Sequence, residues 1–161
     1  MSLSAADIAR FWSRVVKGPS EDDCWLWSGA IGDDGYGRFW LKTESGQRVV
    51  RPHRLAWQLA TGTAADDSVL MRHRCDRPLC VRATAGADSH LVTGTHALNM
   101  ADRARAMRDT NVAPWGIAGL SRQRAAATSR AIRQVLHERG YDAASIAAIA
   151  AGYNPDEATL F

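Results

Sequence analysis

Hydrophobic and polar residues follow each other along the chain with periods that predict short helices and a β-hairpin. Over residues 5–17 the large hydrophobic side chains recur three or four positions apart, as in an amphipathic helix, and Gly18-Pro19 ends it. Residues 36–42 and 47–51 instead alternate hydrophobic and polar positions on either side of a turn that contains Gly46. We therefore expect an N-terminal docking helix followed by a β-hairpin.

A helix is predicted directly after the hairpin, over residues 52–61. Pro52 is a favourable first helical residue, and Gly62 is a favourable residue just after a helix. The other elements expected in this part of the chain are a strand at 69–71, an irregular loop at 76–90 and a helix at 95–107 with Thr95 as its N-cap.

The last third of the chain is predicted to be helical after a linker. A long basic helix over 121–139 ends at Gly140, and Asp142 caps a short helix that follows. The pair resembles half of a helix-turn-helix, and it is either a DNA-reading unit, a phosphate-binding arm or a packing element of a dimer. The expected divisions are an N-terminal docking helix (1–20), a central domain (21–109), a linker (110–120) and a helical C-terminal extension (121–161).

Length and composition limit the class of protein. The chain has 161 residues, of which 46% are hydrophobic and 23% charged, as in one globular domain or a small domain with an appendage. No run of about 18 apolar residues is present, and the first residues lack the basic and apolar regions of a secretion signal. We therefore expect a cytoplasmic protein without a membrane span.

The net charge of +3 is unevenly distributed. Residues 1–34 and 140–161 each carry −3, whereas residues 35–139 carry +9. Of the 20 basic residues 18 are Arg, whose planar guanidinium suits phosphate and guanine contacts. Codon bias is an alternative reason for the abundance of Arg, but it does not explain why the positive charge is concentrated in the middle of the chain.

Three cysteines and one histidine form a candidate metal site. An odd number of cysteines without an export signal favours reduced thiols or a metal over a disulfide framework. Cys75 and Cys80 are close in the sequence, His90 follows them, and Cys24 lies upstream beside the hairpin. Three thiolates and an imidazole make a closed tetrahedral zinc site of the structural type. The alternative is three buried thiols and an unrelated histidine.

His73 and Asn99 are candidate catalytic residues. His73 lies two positions before Cys75, so a metal bound to Cys75 would fix its position. A neutral imidazole can act as the general base that activates water, and the amide oxygen of Asn99 suits a hard cation such as Mg²⁺. His53 begins the helix predicted at 52–61 and is expected to have a packing or hydrogen-bonding role.

Several short motifs together carry a family resemblance. They are CWLWSGA (24–30), GYGR (35–38), PHRLA (52–56), HRCDRPLC (73–80), His90-Leu91, Gly94-Thr95 and NMAD (99–102). Over roughly residues 22–108 the chain resembles the HNH, or His-Me finger (ββα-metal), endonucleases with a zinc-binding loop, in particular the I-PpoI-like and phage-borne homing endonucleases. The resemblance implies an α+β fold, with a ββα-metal core, an antiparallel hairpin, a zinc-stapled loop and peripheral helices.

The resemblance also implies roles for individual residues in the cleavage of double-stranded DNA. His73 matches the general base and Asn99 the ligand of the catalytic Mg²⁺. The ligands of the structural zinc are Cys24, Cys75, Cys80 and His90. The segment between Cys80 and His90 is longer here than the usual Asn-Pro-containing segment, which leaves His96 as an alternative fourth ligand.

An arginine is expected to hold the phosphate in the transition state, with Arg48 the first candidate and Arg51 and Arg38 after it. The hairpin has a suitable size for the major groove of DNA. The expected DNA contacts on and beside the hairpin are Arg38, Lys42, Gln47, Arg48 and Arg51.

Two other functions fit the same residues. One is a restriction-type or DNA-processing nuclease of a phage or mobile element in a bacterial host, with the same chemistry. The other is a zinc module that binds DNA without cutting it, although the pair of His73 and Asn99 favours an enzyme. Because one such site cuts one strand, a double-strand break needs two sites and favours a homodimer.

Overall fold

The computed structural model describes residues 3–43, 46–64, 69–98, 101 and 118–152, with the side-chain surroundings of the last range described from residue 122. The fold is mixed α+β, with three two-stranded antiparallel pairs and helices at both ends of the described chain. Its elements are α1 (Ala5–Trp12), β1 (Val15–Lys17), β2 (Trp25–Trp27), β3 (Phe39–Thr43), β4 (Gly46–Val50), α2 (Pro52–Thr61), β5 (Met71–His73), β6 (Leu91–Thr93), α3 (Ala118–Arg139) and α4 (Ala143–Ala150).

The N-terminal helix is shorter than the sequence pattern predicts. α1 begins after Ser4, whose hydroxyl accepts a hydrogen bond from the Asp7 backbone N–H, and it buries Phe11. The predicted extension to residue 17 is wrong, because Val15 and the residues after it form β1 and pair with β2, with Val15 opposite Trp27. β-branched side chains favour extended backbone, and pairing with an aromatic strand decides the outcome here.

The predicted hairpin is confirmed as β3 and β4. Phe39 and Leu41 are buried on one face, whereas Trp40 and Lys42 are exposed on the other. The register places Trp40 opposite Val49 and Leu41 opposite Arg48. The hairpin therefore buries one face and leaves the other exposed.

The helix predicted at residues 52–61 is confirmed by α2. Pro52 occupies its first position, and Gly62 follows it with a φ of 68°, a left-handed conformation that glycine adopts without strain. His53, in the first turn, is buried together with Leu55 and Ala56. α2 therefore directs an imidazole into the protein from its N-terminal turn.

β5 lies two residues later than the predicted strand, because its partner β6 selects the register in which His73 is opposite Leu91. Residues 96–98 are helical, and the Leu98 N–H donates to the Thr95 hydroxyl at 3.3 Å, as expected for an N-cap. Most of the helix predicted to follow, including Asn99, and most of the predicted linker lie outside the described residues.

The two C-terminal helices share the hydrophobic core of the central region. Ile132, Leu136 and Ile146 are buried in the same cluster as Phe11 and Trp27. α4 is capped by Asp142, whose carboxylate accepts from the Ser145 N–H, as predicted. The extension is therefore packed onto the central region in the described part of the chain.

α3 also contacts the loop that precedes β3. His137 Nε2 lies 2.9 Å from the Ser28 carbonyl oxygen, and Arg122 pairs with Asp33 at 2.9 Å. Gly35 has a φ of 81°, and a Cβ atom there would lie 2.8 Å from the Ala125 carbonyl carbon, so the close approach of α3 needs glycine. No helix in the described part of the chain is long and apolar enough to cross a membrane.

Candidate metal centre and histidine cluster

Three thiols and one imidazole converge from distant parts of the chain. Cys24 lies just before β2, Cys75 and Cys80 lie in the loop after β5, and His90 lies just before β6. Their ligand atoms are all within 4.8 Å of one another. The structure therefore brings together the four residues predicted as metal ligands, with His90 rather than His96 as the fourth member.

The spacing within this Cys3His cluster fits a zinc ion. His90 Nδ1 lies 3.5 Å from the Sγ atoms of both Cys24 and Cys80. A tetrahedral ion about 2.3 Å from a sulfur and about 2.0 Å from a nitrogen separates the two ligand atoms by about 3.5 Å. These two distances fit a bound zinc ion, and four protein ligands would leave it no open position.

Backbone hydrogen bonds fix the cysteine loop to the strands around it. The Val81 N–H donates to the Trp25 carbonyl at 2.7 Å, and the Trp27 N–H donates to the Leu79 carbonyl at 2.9 Å. On the other side, the Arg74 N–H donates to the His90 carbonyl at 2.8 Å. Each ligand is thus next to a backbone segment that is anchored to a strand.

The protonation of the three thiols shows why a cation suits them. Hydrogen bonds from the Cys75 and Cys80 thiols lower the pKa of Cys24 to about 2. The same contact with Cys24 raises the pKa of Cys75 to about 12, and contacts with both neighbours raise that of Cys80. Without a metal, the cluster therefore stabilises one thiolate. A bound zinc ion favours all three thiolates and releases the remaining protons.

Arg82 is a supporting residue that the sequence pattern does not reveal. It lies in the long segment between Cys80 and His90 and is only 5% exposed. Its guanidinium donates to the Asp23 carbonyl at 3.0 Å and to the Asp88 carboxylate at 3.3 Å, while its own carbonyl accepts from the His90 N–H. A buried arginine therefore ties the longer segment to the residue before Cys24.

His73 lies beside the metal centre but is not a member of it. Its ring centroid is 5.1 Å from that of His53 and 5.8 Å from that of Tyr36, while the rings of Tyr36 and His53 are 5.1 Å apart. We call these three residues the histidine cluster. The structure thus pairs His73 with His53, a residue that was expected only to pack or to form hydrogen bonds.

Three ring nitrogens of the histidine cluster are buried without a hydrogen-bond partner in the described part of the chain: His53 Nδ1, His73 Nδ1 and His73 Nε2. Burial lowers the pKa of His73 to about 4. Burial, and then the proximity of His73 and Arg51, lower the pKa of His53 well below its usual value. Both imidazoles are therefore neutral at neutral pH.

Asp34 organises the arginines next to the histidine cluster. Its carboxylate accepts from Arg38 and from Arg51, each at 2.9 Å, and from the Tyr36 backbone N–H at 3.1 Å. The Arg51 guanidinium also lies 4.8 Å from the centre of the Tyr36 ring. Two of the arginines predicted to contact DNA are thus paired with one internal carboxylate.

Of the other predicted site residues, Lys42, Gln47 and Arg48 are exposed on the hairpin. Trp40 and Val49, 44% and 48% exposed, form an apolar cross-strand pair on the outer face, next to Lys42 and Gln47. Asn99 lies outside the described residues, so its position relative to His73 stays a prediction.

Comparison with known proteins gives a partial relationship. No protein-family model and no solved structure matches the chain. The chain is 33% identical over 81 residues to protein 7.7 of Escherichia phage T7, across 50% of this chain and 55% of that protein. It is 33% identical over 79 residues to protein 2.8 of the same phage, across 49% and 48%. The chain thus spans about half the length of the curated relatives it matches, and their names state no activity.

Proposed function

We propose that the protein is a metal-dependent DNA endonuclease of the HNH, or His-Me finger, type. The observation that carries the proposal is the position of His73 at the end of β5, two residues before Cys75 and opposite Leu91, which follows His90. A metal held by the Cys3His cluster would fix both strands on which this imidazole depends. In this proposal β5, β6 and the helix that begins at residue 96 form the ββα-metal core.

His73 is the proposed general base. It removes a proton from a water molecule whose oxygen attacks phosphorus, the bond from phosphorus to the 3′ oxygen breaks, and that oxygen takes a proton from solvent. The products are a 3′ hydroxyl and a 5′ phosphate. A divalent cation such as Mg²⁺, for which Asn99 is the proposed ligand, supplies neutralisation of the charge that develops on the phosphate and the leaving oxygen.

The charge distribution supports DNA as the partner. The segment with a net charge of +9 includes the hairpin, on which Lys42 and Arg48 are exposed. Neutralisation of phosphates by such residues releases counterions and strengthens binding at low salt. A homodimer that places two sites on one duplex would allow both strands to be cut.

The test is cleavage of supercoiled plasmid by zinc-loaded protein with and without Mg²⁺. We expect His73→Ala to reduce the cleavage rate by about 10²- to 10⁴-fold, the usual contribution of a general base, while zinc content and melting temperature stay unchanged. His137→Ala is the matched control, because His137 lies on α3 against the Ser28 carbonyl. Unchanged cutting by His73→Ala would remove His73 from the mechanism.

The same experiment separates the proposal from a zinc module that only binds DNA. That module would bind duplex DNA with a strong dependence on salt but leave the plasmid intact at every Mg²⁺ concentration. Such a result would overturn the enzymatic proposal.

A further inference from the structure

We propose that Arg51, His53 and His73 form one pocket for a phosphodiester of the DNA backbone, and that Arg51 rather than Arg48 supplies its guanidinium. The identity of the phosphodiester as the scissile one rests on the proposed function. The existence of an anion site rests on independent observations of burial, contacts and charge around the N-terminal turn of α2.

The first observation is the set of unpartnered nitrogens. His53 is 4% exposed, and its Nδ1 atom has no hydrogen-bond partner in the described part of the chain. Both ring nitrogens of His73 are also buried without a hydrogen-bond partner in the described part of the chain. Native proteins pair nearly all of their buried polar atoms, because an unpaired one costs free energy. Oxygen atoms of a ligand would supply the missing partners.

The second observation is the positive charge around the pair. Arg51 is the N-cap residue of α2, and the first turn that follows contains His53 and Arg54. The N-terminus of this ten-residue helix adds a partial positive charge. A site that joins unpartnered imidazoles to arginines and a helix N-terminus is suited to an anion such as a phosphate.

The third observation distinguishes Arg51 from Arg48. The Arg51 guanidinium lies over Tyr36, whose ring contacts both histidines. Its side chain is 41% exposed, so it reaches from the histidine cluster to the surface. Arg48 is exposed on the hairpin, opposite Leu41 in the register. Only Arg51 of the two is therefore connected to His53 and His73 by the contacts described.

Asp34 completes the arrangement as a positioning residue. Its carboxylate is largely buried and holds both Arg38 and Arg51. In the protein without DNA it neutralises part of the charge of Arg51, so a phosphate and the carboxylate compete for the same guanidinium. Because of this competition, replacing Asp34 removes the ion pair while Arg51 stays in place, so the effect of losing the ion pair can be measured apart from the effect of losing the arginine.

The first experiment uses inorganic phosphate as the probe and needs no catalysis. The imidazole nitrogen signals of the five histidines are followed by NMR at constant pH and ionic strength while phosphate is added to the zinc-loaded protein. We expect the signals of His53 and His73 to shift together and to saturate, while those of His96 and His137 stay in place. Absence of a saturable shift at His53 and His73 would overturn the proposal.

Three variants assign the guanidinium in the same titration. Arg51→Gln is expected to weaken phosphate binding at least about tenfold, because a charged hydrogen bond is lost. Arg48→Gln, which removes the other candidate guanidinium, is expected to leave the affinity of this pocket for phosphate unchanged. Arg130→Gln, an exposed position on α3, is the matched control for the loss of one charge. Asp34→Asn breaks the ion pair but keeps the arginine, and it is expected to bind phosphate as tightly as the wild type or more tightly. Equal effects of Arg48→Gln and Arg51→Gln would overturn the assignment.

The second experiment measures single-turnover plasmid cleavage and separates the two proposals. Arg51→Gln is expected to slow cleavage about 10²- to 10³-fold, the usual effect of losing one stabilising donor in a transition state. If the wild type is active and Arg51→Gln cuts as rapidly, the role of Arg51 is wrong, whereas the proposed nuclease function stands. An inactive wild type that still binds phosphate at His53 and His73 would defeat the nuclease and keep the anion site.

Discussion

The Cys3His cluster and the histidine cluster are linked by the short segment from His73 to Cys75, but their polar atoms have different surroundings. In the first, the four ligand atoms of Cys24, Cys75, Cys80 and His90 all lie within 4.8 Å of one another. In the second, three nitrogens of His53 and His73 lack a partner in the described residues. A cluster whose ligand atoms converge on one point is suited to bind a metal ion that stabilises the fold. A cluster with unpaired buried atoms costs stability, which is the usual condition of a site prepared for a ligand.

Metal removal should give the largest difference between the two clusters. A structural zinc ion contributes on the order of 10 kcal/mol to folding, because its ligands are brought together only in the folded state. We therefore expect a chelator, or Cys80→Ser, to lower the melting temperature strongly and to broaden the imidazole signal of His73. Zinc content and thermal unfolding are the measurements. Unfolding that is identical with and without chelator would show that the cluster is not a structural metal site.

Acidification should reveal the uncharged state of His53. Its pKa is lowered in the folded protein, so the unfolded chain binds more protons as the pH falls below about 6.5, and stability decreases by up to about 1.4 kcal/mol per pH unit from this residue. Stability from this source is complete above that pH. Urea unfolding at several pH values with saturating zinc measures the loss.

The control for the pH experiment is His53→Gln, which retains the zinc ligands and His73. Since the acid sensitivity of the metal site is common to both proteins, the difference between their pH profiles isolates His53. The variant should have a shallower profile below pH 6.5. Parallel profiles would show that His53 is not buried in its neutral form.

Replacement of His73 by leucine should give the smallest change in the free energy of unfolding, and this change should be a gain in stability rather than a loss. His73→Leu removes two buried nitrogens without partners, so we expect the zinc-loaded variant to gain about 1 kcal/mol in unfolding free energy while activity is lost. Urea unfolding and plasmid cleavage measure the two changes. A clear loss of stability would mean that the imidazole is bonded in the folded protein and is not held for a ligand.

Much of the local structure follows from the sequence pattern. Pro52 and Gly62 bound α2 as predicted, the alternating residues form the β3–β4 hairpin, and Asp142 caps α4. These features depend on backbone rules that act over a few residues. The strand β1 was missed because helical spacing and a short Val-rich strand look alike in this segment, and only pairing with β2 distinguishes them.

The candidate site was predicted in its composition but not in its contacts. The metal ligands could be predicted because thiols and imidazoles have a limited chemistry and the odd cysteine count excludes full pairing. The role of Arg82 could not be predicted, since the sequence does not indicate whether an arginine is buried or exposed. Likewise, the sequence places His53 at a helix start and in the PHRLA motif (52–56), but it does not indicate that the two rings of His53 and His73 are neighbours.

The sequence by itself thus determined α2, the β3–β4 hairpin, the cap of α4 and the residue types that can bind a metal, since these depend on short-range geometry and on side-chain chemistry. Tertiary structure alone decided which groups meet. Cys24 and His90 are 66 residues apart in the chain, and Arg51 and Asp34 are 17 apart. Such contacts depend on how the whole core packs, and that packing placed His53 beside His73 and two arginines on one carboxylate.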